Sequence, residues 1–414
     1  MIKRLLIFLV ICLLNLSSSF YAQTFGNEWI NYAQRYYKVA ITQNGFHKVT
    51  FADLNNAQIP VSSINSENFQ VFGREEEVPL YIADNGDNSI DNGDYFLFYA
   101  EKNDGWLDKT LYADSTHVGN PYYSLYNDTI YYFITWNGSS NNKRFQLETD
   151  NTFSSYTPTD YVWRSSFNEN HSRYVEGLSI SELSTSFYIE GEGYGSNAFV
   201  EGQSFTLNLQ TINPYTGANT PNAKLISSAS STNNPVGNSG SPTHHTKFTL
   251  GTQNTLIYDT LYSGYKQLYI DRNIPVSQLN PGITPVKWSI EQNLTSAPDR
   301  QSASYASIRY PSTLSFSNGA ITKGSFELRN SSNQTKSRLD ITNWTATNPM
   351  LFVFGDQPMQ IKVYPNGGNN FQALIPNSAN GSNQTVRYVD SNDFVNINPI
   401  SEVGQNGLFT NFNN

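Results

Sequence analysis

Aspartates cluster in one short stretch, Asp84-Asn85-Gly86-Asp87-Asn88-Ser89-Ile90-Asp91-Asn92-Gly93-Asp94. Closely spaced carboxylates of this kind are the hard oxygen donors that Ca2+ takes, so Asp84, Asp87, Asp91 and Asp94 are the candidate metal ligands. The order is not that of an EF-hand loop. Counted from Asp87, Asn92 stands where glycine is required, and Phe98 stands where a bidentate glutamate closes the site. Asp and Asn side chains also bond their own backbone two residues on, so the stretch reads equally as a solvated loop of Asx turns, the reading we favour. Asn103 to Asp108, with its Asp104-Gly105 pair, reads as a second turn.

Nucleophilic catalysis needs a nucleophile, a base beside it and a group that orients the base. The histidines are His47, His117, His171, His244 and His245, and the lone cysteine is Cys12. No Gly-x-Ser-x-Gly elbow occurs; its nearest imitation, Gly237-Asn238-Ser239-Gly240, lies in a polar tract. On a strand His244 and His245 would point to opposite faces and could not easily clasp one metal, so they are read as loop histidines. Trp106, Trp136, Trp163, Trp288 and Trp344 could stack on sugars, but their aromatic neighbours make most of them sheet core. No phosphate-binding glycine loop and no paired carboxylates stand out. The expectation is no catalytic and no cofactor-binding residue, with calcium the sole ion considered.

These residues sit in an exported chain. Lys3 and Arg4 precede an apolar run from Leu5 to Leu16, and a small-residue exit follows at 17–23, the pattern of a signal peptide spanning residues 1–22. The run is shorter than the ~20 residues of a membrane-spanning helix, and no other segment qualifies. Cys12 would leave with the signal, and no internal disulfide would remain. Loss of Lys3 and Arg4 moves the net charge from −9 to about −11, which disfavours nucleic-acid binding because phosphate contacts need clustered Lys and Arg. Few charges and many Asn, Ser, Thr, Gly, Tyr and Phe predict an all-β protein of two or three modules, the later ones two-sheet sandwiches, with few short helices.

A first β-rich domain is placed at 24–150. Within it, Asn44-Gly45 between two strand-like runs predicts a hairpin, Asp53 to Ile59 a short helix, and the aromatic run Tyr122 to Trp136 a second hairpin. A sandwich is expected at 160–311, with a mobile loop at 227–243, where Ser227 to Thr243 is too polar to bury itself. Residues 313–396 form a second sandwich or continue the first, and 397–414 read as a linker.

Several stretches in order then carry a resemblance: Tyr36 to Val49 (YYKVAITQNGFHKV), Phe69 to Arg74 (FQVFGR), Asp94 to Asp108 (DYFLFYAEKNDGWLD) and Tyr123 to Trp136 (YSLYNDTIYYFITW). Glu190 to Tyr194 (EGEGY), Ile308 to Phe316 (IRYPSTLSF) and Trp344 to Pro349 (WTATNP) extend it. Together they resemble the region preceding the catalytic domain in type IX secretion system sortases, the gingipain-like cysteine peptidases of Bacteroidetes cell surfaces. The resemblance implies a caspase-like domain with a catalytic His and Cys soon after the equivalent of Asn398 to Phe412, so no catalytic residue can be carried onto this chain. It also implies cleavage of a sorting signal from secreted cargo by that domain, and O-glycosylation at Asp128-Thr129-Ile130 and Asp259-Thr260-Leu261.

The function expected on this footing is a non-catalytic N-terminal scaffold or prodomain. Its partners would be a gingipain-like catalytic domain, in cis or from a neighbouring gene, and secretion-system components, at the periplasm, the outer-membrane surface or outside the cell. The competing expectations are a stand-alone surface module binding glycan or protein, and a calcium-stabilised adhesin resting on Asp84 to Asp94.

Overall fold

The computed structural model describes residues 26–177, 187–235, 240–294, 298–317 and 321–411. It is all-β as expected, with strands holding 45% of the residues and, among the described residues, one six-residue α-helix, Phe51–Asn56. That helix starts where Thr50 and Asp53 form a reciprocal capping box, near the place predicted. No described helix is long and apolar enough to cross a membrane.

The first module is a sandwich. One sheet runs in the order Ser401–Glu402, Tyr37–Ile41, Ile130–Trp136, Phe69–Gly73, Glu76–Val78, and the facing sheet in the order Val395–Asn396, Gly45–Thr50, Tyr95–Ala100, Tyr81–Ala83. Alternate residues of each strand turn inward, Tyr37, Val39 and Ile41 from one sheet against Val49, Phe96 and Phe98 from the other.

The Asn44-Gly45 hairpin does not form: its two flanking strands lie in opposite sheets. A tight two-residue turn of the favoured kind needs positive φ at both residues, and only Gly45 has it. Crossing between the layers instead lets Val39 and Val49 enter one core from its two sides. The second predicted hairpin is also absent. Only Ile130–Trp136 is a strand, and the chain before it is irregular, turned at Asn127, whose side chain accepts from the Thr129 N–H.

One large sheet ties the rest together. Its order is Gln267–Ile274, Ala223–Ser231, Arg300–Ser312, Val162–Glu169, Gly324–Leu328, Gln384–Asp390, Pro349–Phe354, Met359–Ile361, Gln146–Glu148. A four-stranded sheet of Ser204–Thr211, Gly282–Ile290, His244–Leu250 and Thr255–Tyr262 covers its first half over a core of Leu209, Leu225, Phe248, Ile270 and Trp288. A three-stranded sheet of Lys336–Ile341, Phe371–Pro376 and Tyr364–Pro365 covers the second half over Leu339, Trp344, Leu351 and Tyr388. The later strands thus continue the same sheet while forming their own core.

The loop expected at 227–243 is corrected in its first part. Ser227 to Ser231 complete the strand Ala223–Ser231, hydrogen-bonded on both sides by Gln267–Ile274 and Arg300–Ser312. Ser227 is fully buried; its Oγ donates to the Tyr305 carbonyl (2.7 Å) and accepts from Trp288 Nε1 (2.9 Å). Satisfied in this way, a small polar side chain can be buried where a large one would not fit. Residues 236–239, which include most of the Gly237 to Gly240 imitation elbow, lie outside the described residues.

The stretch expected as a linker from 397 is also integrated. Ser401–Glu402 extends the first sheet beside Tyr37, and Val395–Asn396 pairs in parallel with His47 and Lys48. The Tyr36 N–H donates to Gly407 O (2.7 Å), and Val403 N–H to Tyr36 O (3.1 Å). Arg35 pairs with Glu402, and Phe409 packs edge-on against Trp29 and Tyr36. Aromatic contacts and sheet pairing bind this polar segment although its own sequence shows no strand pattern.

Candidate functional site

The acidic loop is built as turns. Asp84 accepts from the Gly86 N–H (3.0 Å), Asp87 from Ser89 (2.9 Å) and Asp94 from Asp91 (3.1 Å), while Asn85 Nδ2 also donates to Asp94 (2.8 Å). Asp94 is buried at the base of the loop. Its carboxylate beside Asp91, with Asp87 near, raises the Asp91 pKa. The four carboxylates that the sequence proposes as calcium ligands do not converge: no group of three His, Cys, Asp or Glu side chains placed to hold a metal occurs among the described residues.

The histidines are dispersed, each with its own partner. His244 and His245 are corrected from loop to strand, as neighbours on His244–Leu250 pointing to opposite faces. His244, fully buried, meets Asp299 through Nδ1 (2.7 Å) and stacks on Tyr262. His245 reaches Asp259 through Nε2 (2.7 Å) and Asn293 through Nδ1 (2.8 Å). The buried His244–Asp299 pair has the form of a base with its orienting group, but His244 Nε2 has no partner and no nucleophile stands on it. His171 stacks on Tyr123 and bonds Glu169 (3.0 Å), and His117 lies near Asp114. His47, 2% exposed, has its pKa pulled down to about 4 by burial. Asp259, part of one glycosylation-like triplet, is engaged by His245, whereas Asp128 of the other bonds its own Thr129.

The tryptophans divide by location. Trp288 and Trp344 are fully buried, Trp136 stacks on Tyr37, and Trp163 carries the Arg309 guanidinium 4.0 Å above its ring. Trp106 lines a cleft of roughly 690 Å3 between the first module and the second half of the large sheet. There Arg387 lies flat on Tyr99 (3.6 Å) and bonds Glu101 (2.9 Å), which also meets Arg74 (3.4 Å). Beside it Phe46 packs on Phe352 (4.5 Å), with Phe145 on the same ring. Arginine stacked on a ring while paired to a carboxylate is held in one orientation, so this seam fixes the two modules to each other. Sequence reading missed the seam because Arg387 and Glu101 lie far apart along the chain.

A second cleft lies on the outer face of the large sheet, where residues 115–122 pass over Tyr269, Tyr305 and Ser307. Tyr122 stacks on Phe167 (4.2 Å) and meets Tyr305 edge-on (5.3 Å). Its signal in the sequence, one tyrosine on each of two strands distant along the chain, Tyr269 and Tyr305, is indistinguishable from core patterning.

No protein-family model matches the chain, and no curated protein matches it. Among solved structures, dimeric latent PorU from Porphyromonas gingivalis superposes over 92% of this chain and 34% of its own, with a TM-score of 0.50 at 11% identity. A β-porphyranase of glycoside hydrolase family 86 from Bacteroides plebeius (TM-score 0.19, 10% identity, 67% of this chain, 35% of its own) is too distant to bear on the fold. The same holds for the tandem CBM22 domains of Paenibacillus barcinonensis Xyn10C (0.15, 11%, 58%, 95%). The chain therefore spans about a third of PorU and shares with that portion its fold.

Proposed function

We propose that this chain is the exported, non-catalytic N-terminal scaffold of a gingipain-like type IX secretion sortase. The observation that carries the reading is the PorU likeness over nearly the whole chain, in agreement with the ordered motifs from Tyr36 to Pro349. Two features give the scaffold its physical sense. The seam at Arg387, Glu101 and Phe352 locks the modules, and the strand Ser401–Glu402 with Phe409 ties residues 395–409 to the first sandwich. A domain joined beyond this point, or docking from a separate chain, meets a rigid platform. Cleavage of the cargo's sorting signal belongs to that domain.

The test mixes the chain from residue 23 onward with a separately produced gingipain-like catalytic domain from the same genome. A stable complex is expected, with sorting-signal peptide cleaved in the mixture and not by the chain alone. Failure to associate, or cleavage by the chain alone, overturns the proposal.

A further inference from the structure

The cleft on the outer face of the large sheet encloses roughly 590 Å3, inside the range of small-molecule sites, about 300–1,000 Å3. Tyr269 and Tyr305, which line it, belong to one cross-strand row: Ser228 is the register partner of Tyr269 on one side and of Tyr305 on the other. Strand spacing sets these two tyrosines about 10 Å apart. Ser228 between them sits under the Gln267 amide, Ile226 in the neighbouring row floors the trough, and Tyr122 closes one end.

The trough is furnished on one side of the chemistry. Tyr305 is 4% exposed, yet among the described residues neither its hydroxyl nor that of Tyr269 has a hydrogen-bond partner. A buried tyrosine usually finds one. Gln267 uses its Nε2 on Val118 O (3.1 Å) and Ser228 Oγ (3.1 Å), which leaves its amide oxygen as an acceptor. No lysine or arginine lines the cleft, and the one carboxylate, Glu190, already accepts from the Gln267 N–H (3.0 Å). The one histidine of the lining, His117, lies near Asp114, and Lys224 beside Tyr269 is paired with Asp271, so an anionic ligand would find no unpaired cation here. A neutral polyhydroxylated ligand would find the half-exposed ring of Tyr269 for its C–H surface, and the Tyr269 hydroxyl and the Gln267 amide oxygen for its O–H groups.

We infer that this tyrosine cleft is a binding site for a neutral saccharide. The site lies where residues 115–122 cross the large sheet, and its test involves no peptidase domain, so it stands or falls separately from the scaffold function. The experiment titrates the chain from residue 23 onward with maltohexaose, cellohexaose, mannohexaose and xylohexaose, read by saturation-transfer NMR and calorimetry. At least one is expected to bind. Tyr269→Ala, at a half-exposed position, should weaken it tenfold or more with an unchanged melting temperature. Tyr131→Ala, an equally exposed tyrosine of the first module, should leave binding unchanged. The inference is overturned if none of the four binds, if Tyr269→Ala binds as well as the parent, or if the cleft takes acidic glycans or peptides instead.

Discussion

Replacing Ser227 with alanine removes one oxygen from the middle of the second module. In the structure that oxygen accepts from Trp288 Nε1 (2.9 Å) and donates to the Tyr305 carbonyl (2.7 Å), and both Ser227 and Trp288 are fully buried. The alanine methyl fits the same space, so the cost comes from polarity rather than from a cavity. A buried donor left without an acceptor costs about 1–3 kcal/mol, and the Trp288 N–H has no water to turn to. We expect Ser227→Ala to lower stability by about 2 kcal/mol, measured by urea unfolding at constant slope. Trp288→Phe removes the donor as well as its acceptor's role, so in the double variant the two losses should fall short of additive by about 1 kcal/mol. If residues 227–231 formed a loose polar loop, Ser227→Ala would shift nothing. An unchanged midpoint, or strict additivity in the cycle, would refute the buried strand.

Three further outcomes follow from the geometry. Phe409→Ala takes away ring contacts with Trp29 and Tyr36, each worth roughly 0.5–1.5 kcal/mol; hydrogen exchange should accelerate at the Val403 and Tyr36 amides, which close this joint, and not at Leu225. His47 keeps a folded pKa of about 4 against an ordinary 6.5. Its neutral form is favoured by folding, so stability is whole above pH 6.5, declines as pH falls toward 4, and changes no further below. The total is at most about 3 kcal/mol, and His47→Phe should flatten that part of the stability profile. For the acidic loop, EGTA should leave the melting temperature unmoved, whereas Asp94→Ala, which strands the Asp91 N–H and Asn85 Nδ2, should cost about 1–2 kcal/mol in a urea titration.

The sequence was legible where the information is local. Alternation at Tyr37, Val39 and Ile41 marks a strand whatever lies opposite it, and Thr50 with Asp53 caps a helix within four residues. The Asp84 to Asp94 loop likewise is made by side chains bonding backbone two or three residues away. Reading failed at Asn44-Gly45, where the local turn signal lost to the demand that two apolar strands enter one core from opposite sheets. It failed again at Ser227 to Ser231, where distant groups bond the buried hydroxyls, Trp288 and Tyr305 that of Ser227 and Tyr262 that of Ser231. The candidate sites share this limit. Tyr269, Ser228 and Tyr305 become one row only through register, and Arg387 meets Glu101 only because the large sheet folds back against the first module.

By itself, then, the sequence determined the all-β class, the short helix and the turns of the acidic loop, since period-two burial and side-chain-to-backbone bonds act over a few residues. Which strands share a sheet, which polar residues are buried, where the clefts open and how residues 395–409 return to Tyr36 were decided by tertiary structure. Those outcomes depend on pairings across hundreds of residues, whose free energy exists only once both partners are in place.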